Sequence, residues 1–68
     1  MDTHVIRFVI AHPSGETHEL AQEFASSLDL AVGLAVVGTI RLRAEHGQPI
    51  GYVIEDSAGR RVRAVSPS

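Results

Sequence analysis

Apolar and polar residues divide the chain into four segments, and clusters of turn residues stand at 13–15, 47–49 and 57–59. The first segment, residues 4–12, has apolar side chains spaced as on one face of a helix: Val5, Ile6, Val9 and Ile10. Its β-branched residues favour a buried strand instead. Helix and strand both remain open for this segment.

The second segment predicts a helix over residues 18–25. Thr17 is a candidate N-cap, and Glu19 falls in the first turn, where the helix dipole favours negative charge. The apolar residues of this segment then form one stripe of a helix: Leu20, Ala21, Phe24 and Leu28.

The third segment, residues 27–46, is ambiguous. Asp29 is a candidate cap for a further helix, but the glycine and β-branched residues that follow are poor helix formers. From Thr39 onward polar and apolar residues alternate, which is the period of a strand. Both structures therefore stay open here as well.

Residues 31–37 are apolar at every position, so neither a helix nor a strand would have a polar face to turn to water. A segment of this kind belongs to the core, to an interface between subunits, or to both. We therefore predict a homodimer whose interface includes four residues of this region: Val32, Leu34, Val36 and Val37.

The fourth segment predicts a β-hairpin, with strands near 50–55 and 61–65 around a turn at 56–59. The chain is short enough for a single domain, which we place at residues 1–65, with a flexible tail at 66–68. A domain of this size buries only about 60% of the surface of its unfolded chain, so a partner subunit would add useful stability.

In this order the segments resemble a winged helix–turn–helix domain. Residues 5–15 resemble its first helix and closing turn, 16–21 the start of its second helix, 42–50 the end of its recognition helix, and 53–65 its wing. The resemblance implies an α+β fold with helices in the first two-thirds and a C-terminal antiparallel β-hairpin. It also implies binding to DNA. The alternative fold is β-α-β-β-β, with the first segment and residues 36–45 as strands.

The net charge is −2, and it is distributed unevenly along the chain. Residues 1–38 carry a net negative charge, and residues 39–68 carry a net positive charge. The arginines of the basic part are the candidate contacts to DNA phosphates: Arg41, Arg43, Arg60, Arg61 and Arg63. The competing interpretation is that they are solvated side chains paired with nearby acidic residues.

Other chemistry finds less support in the sequence. The chain has no cysteine, its four histidines match no standard zinc spacing, and Ser14 with His12 lacks the third group of a catalytic triad. We therefore predict no enzyme activity, no metal and no cofactor. The longest uncharged run, residues 30–40, is too short to cross a bilayer, and the first residues do not form a secretory signal, so we expect a cytoplasmic protein.

The leading functional prediction is a small DNA-binding regulator, acting as a dimer. The alternative is a protein-interaction module, such as a small inhibitor or an antitoxin-like partner, that does not bind DNA. The net negative charge and the scarcity of polar residues in 30–38 favour this alternative.

Overall fold

The computed structural model describes residues 3–67, which form a β-β-α-β-β domain. Met1, Asp2 and Ser68, which belong to the predicted domain and tail, lie outside the described residues. The elements follow the chain in this order: β1 (His4–Ala11), β2 (Thr17–Ala25), α1 (Leu28–His46), β3 (Ile50–Glu55) and β4 (Arg61–Val65).

The strands form one antiparallel sheet in the order β2-β1-β3-β4. α1 packs across β1, β2 and β3 on one side of this sheet. The core lies between helix and sheet, and its largest fully buried side chains come from the two central strands: Ile6, Phe8, Ile50 and Ile54.

The winged helix–turn–helix fold predicted from the sequence is wrong, since the first two segments are strands. β1 is a central strand, so Ile6 and Ile10 face the helix while Val5 and Val9 lie half-buried on the opposite face. Two period-two series of apolar residues are thus superimposed, and their sum resembles the spacing of a helix.

The helix predicted over residues 18–25 is also wrong. β2 pairs with β1, and a bulge opposite Phe8 and Val9 inserts one extra residue, Leu20, into β2. The bulge allows the consecutive residues Leu20 and Ala21 both to pack against the core. Adjacent apolar residues of this kind break the alternation of a strand and imitate a helical stripe.

The alternative order β-α-β-β-β is wrong too, because residues 36–45 are helical. α1 begins after Ser27, whose hydroxyl accepts a hydrogen bond from the Leu30 amide at 3.2 Å, so Ser27 and not Asp29 or Thr17 is the N-cap. The helix ends at His46 and is capped by Gly47. Gly47 adopts the left-handed conformation, with φ 64°, and its amide donates a hydrogen bond to the Arg43 carbonyl. The C-terminal hairpin lies at its predicted positions.

Candidate interaction surface

α1 carries apolar residues on two opposite sides. The side that faces the sheet consists mainly of small residues: Ala31, Ala35, Gly38 and Leu42. At 100° per residue, Leu30, Gly33, Val37, Ile40 and Ala44 lie on the opposite side, which we call the outer face of α1. The helix therefore turns its small side chains to the core and several of its large ones to solvent.

The large residues of the outer face are well exposed. The exposed fractions are 56% for Leu30, 64% for Val37 and 63% for Ile40. Leu34 and Val36, which flank this face, are exposed at 40% and 46%. A contiguous apolar strip of this kind is a candidate interaction surface.

The outer face has the spacing of a coiled-coil seam. Its residues follow one another at intervals of three, four, three and four, which are the a and d positions of a heptad repeat. The strip from Leu30 to Ala44 is about 21 Å long at 1.5 Å rise per residue. Of these five residues the sequence prediction named only Val37, because the 3–4 spacing is recognised only once the segment is known to be a helix.

The four predicted interface residues divide between the two sides of the helix. Leu34, Val36 and Val37 lie on the outer face or beside it. Val32 is only partly exposed and packs against the core instead.

The five predicted phosphate-binding arginines do not converge. Arg41 and Arg43 are two residues apart on the helix, so they project about 200° apart and flank the outer face on opposite sides. The other three belong to the β3–β4 hairpin, and over residues 3–67 α1 makes no packing contact with β4.

Within the hairpin the arginines also point in different directions. Arg63 pairs with Ile54 and donates from Nε to the Tyr52 hydroxyl at 3.3 Å on the helix side of the sheet. Arg61 pairs with Glu55, whose side chain lies on the opposite side, and Arg60 closes the turn through its backbone. The predicted site is thus spread over both faces of the domain.

The face of the sheet away from α1, which we call the open face, carries a cluster of charged side chains near its centre. The Arg7 guanidinium bridges three strands, with Nε 2.9 Å from Glu55 Oε1 and Nη1 3.0 Å from Glu19 Oε1. A hydrogen bond from the Gln22 amide, followed by that from Arg7, lowers the pKa of Glu19, and the two carboxylates raise the pKa of Arg7. Phe24 is 62% exposed beside this cluster, but the face as a whole is more polar than the outer face of α1.

Two further features are weaker candidates, one for a metal site and one for a ligand pocket. His12 and His18 stack at the end of the β1–β2 hairpin, with Nε2 and Nδ1 2.9 Å apart, but no group of three or more metal-binding side chains occurs in residues 3–67. A cavity of about 200 Å³ beside Val53, Ala64 and Pro67 is open to solvent. It is smaller than typical ligand pockets, which measure about 300–1,000 Å³.

Comparison with protein-family models, with curated proteins and with solved structures finds no match to this chain. Among the described helices, none has the length and apolar character required to cross a membrane.

Proposed function

We propose that this protein is a protein-interaction module that forms a homodimer through the outer face of α1 and has no catalytic role. One observation carries the proposal. The large apolar side chains of the helix, Leu30, Val37 and Ile40, lie in solvent, while alanine and glycine occupy the side that faces the core.

The gain from covering this face is comparable with the cost of association. A fully buried Leu, Ile or Val contributes about 1.5–3 kcal/mol, so covering its exposed half adds on the order of 1 kcal/mol. A symmetric dimer covers the same side chains on both copies, and with Leu34 and Val36 the sum is on the order of 10 kcal/mol. Association costs about 4–15 kcal/mol, so we expect a dimer of moderate affinity rather than a permanent one.

A second copy is the partner that this face fits best, because an apolar strip satisfies an identical strip. The small size of the domain supports the same conclusion, since dimerisation buries apolar surface in addition to what a 68-residue domain buries alone. On the sequence grounds given above, we expect the module to act in the cytoplasm.

DNA binding through Arg41, Arg43, Arg60, Arg61 and Arg63 stays a prediction of the sequence. Because these arginines belong to elements that do not contact each other, they do not form one continuous basic face. We therefore favour the interaction module. Anisotropy of labelled duplex DNA at low and moderate salt tests the alternative, because phosphate contacts would give binding that falls steeply with salt.

Sedimentation equilibrium over a range of protein concentrations tests the proposed dimer. We expect the wild-type protein to dimerise, and the double variant Val37→Glu with Ile40→Glu to remain a monomer that keeps its circular dichroism spectrum. The matched control is Val62→Glu, at an exposed valine of β4 outside the proposed interface. A wild-type protein that stays monomeric at high concentration, or a double variant that still dimerises, would refute the proposal.

A further inference from the structure

We infer that the two copies pair through α1 as antiparallel helices about a two-fold axis, with Asp29 of each copy against Arg43 of the partner subunit. The inference rests on the proposed dimer and adds its orientation and register. It is carried by the heptad spacing of the outer face together with the charges that flank it.

The core of such a pair is formed by complementary residues. In antiparallel pairs an a position packs against a d position of the other helix. With the two-fold axis near residue 35, Leu30 packs against Ile40 of the partner, and Gly33 against Val37 of the partner. A Cβ at Gly33 would have no atom within 4 Å in the monomer, so the glycine leaves a recess that a valine side chain from a second copy can fill.

The flanks of the pair agree with the same register. In antiparallel helices the g positions face each other, and on α1 these are Asp29, Val36 and Arg43. Asp29 and Arg43 are the same number of residues before and after Val36. A two-fold axis that places Val36 beside Val36 of the partner subunit therefore also places each Asp29 beside Arg43 of the partner subunit. On the other flank, where the e positions face each other, Leu34 contacts Leu34 of the partner subunit.

The charges of Asp29 and Arg43 are available for these contacts. Both side chains are exposed, and the ion pairs found over residues 3–67 both belong to Arg7. Asp29 lies in the first turn of α1 and Arg43 in the last, so the antiparallel arrangement also opposes the two helix dipoles.

Other arrangements lose these matches. Parallel helices would place Gly33 against Gly33, leaving a gap in the seam, and would bring Asp29 beside Leu34. An antiparallel pair shifted by one heptad would place Val36 against a charged residue, either Asp29 or Arg43. The register centred near residue 35 matches charge with charge and apolar residues with apolar residues.

Charge reversal followed by mixing tests this register. Asp29→Arg alone places two arginines at each end of the dimer, and Arg43→Asp alone places two aspartates there. We expect each variant to dimerise about ten-fold more weakly than wild type, on the basis of typical exposed ion pairs. Mixed in equal amounts, the variants regain opposite charges at both ends, so native mass spectrometry at low salt should find mainly the heterodimer.

The matched controls are Glu45→Arg and Arg61→Asp, which make the same charge changes at exposed residues outside the proposed interface. Their mixture should give the statistical proportion of homodimers and heterodimers. If the Asp29→Arg and Arg43→Asp mixture is also statistical while wild type dimerises, the register is wrong and the proposed dimer stands. If wild type is monomeric, the proposed dimer itself fails. Mixing also compensates for any effect of a single substitution on folding, since that effect is the same before and after mixing.

Discussion

Gly38 of α1 lies against the tip of the Phe8 ring on β1, so close that a Cβ at position 38 would overlap the ring. Phe8 is completely buried and is one of the largest side chains of the core. Together with Ala31 and Ala35, Gly38 lets the helix approach the sheet closely. The large side chains of the core come mainly from the strands. The large residues of α1 are therefore left for the outer face.

We predict that Gly38→Ala destabilises the domain although alanine is the better helix former. Overpacking a core typically costs about 1–3 kcal/mol, which exceeds the gain of about 1 kcal/mol in helix propensity. The measurement is urea unfolding followed by circular dichroism. Gly33→Ala, measured at a protein concentration low enough to keep the domain monomeric, is the matched control, because the space around its Cβ is open in the single domain and only the propensity gain remains. Equal effects of the two substitutions would show that Phe8 does not restrict the distance between helix and sheet.

Gly51 on β3 is a second site of close approach, this time to the end of the chain. A Cβ at Gly51 would overlap the backbone of Val65, Ser66 and Pro67. We predict that Gly51→Ala displaces these residues from the sheet while α1 stays in place. In an NMR spectrum, large shift changes should be confined to β3, β4 and residues 66–67. Unchanged shifts for Ser66 would mean that this segment does not pack on Gly51 in solution.

The C-terminal hairpin was predictable from local signals alone. The strand before the turn residues Asp56 to Gly59 is rich in β-forming residues, and the Asp56 carboxylate accepts hydrogen bonds from the Ala58 and Arg60 amides at 2.9 Å. Local chemistry of this kind is contained in a few consecutive residues, so it does not depend on the rest of the fold.

The other elements depend on contacts that are distant in sequence. The strand state of β2 follows from pairing with β1 and from the bulge at Leu20, neither of which has a local signal. α1 contains β-branched residues that favour strands, and its caps and packing on the sheet override them. The candidate surface was found only in part, because the helical state must be known before the 3–4 spacing can be separated from a uniformly apolar run.

The start of α1 gives a further prediction. The sequence suggested Asp29 as the N-cap of this helix, whereas the N-cap in the structure is Ser27. We predict that Ser27→Ala destabilises the domain by about 0.5–2 kcal/mol, because the Leu30 amide loses its acceptor. Ser26→Ala, one residue earlier and exposed, is the control and should have little effect. Thermal and urea unfolding measure both variants. A loss that is as large for Ser26→Ala would argue against the assigned cap.

Two carboxyl groups, Glu19 on the open face of the sheet and Asp56 in the β3–β4 turn, predict how the stability of the fold depends on pH. In the folded protein, hydrogen bonds from Gln22 and Arg7 lower the pKa of Glu19, and hydrogen bonds from the Arg60 and Ala58 amides lower the pKa of Asp56. A carboxyl group whose pKa is lower when folded stabilises the folded state above its unfolded pKa. That contribution is lost as the pH falls through the folded pKa. The ordinary values are 4.5 for Glu19 and 3.8 for Asp56, so the free energy of unfolding should not change through these groups near neutral pH and should fall below about pH 4.5.

Substitutions separate the two carboxyl groups. Arg7→Met removes one of the two groups that lower the pKa of Glu19, so the loss of stability in acid should become shallower but persist through Gln22 and Asp56. Asp56→Asn removes the other contribution, in the turn that follows β3. Because the two sites have no shared partner among their hydrogen bonds in residues 3–67, their effects on the slope should add in the double variant. Urea unfolding at a series of pH values measures the slope, and an acid dependence in Arg7→Met identical to that of wild type would show that the Arg7–Glu19 pair does not form in solution.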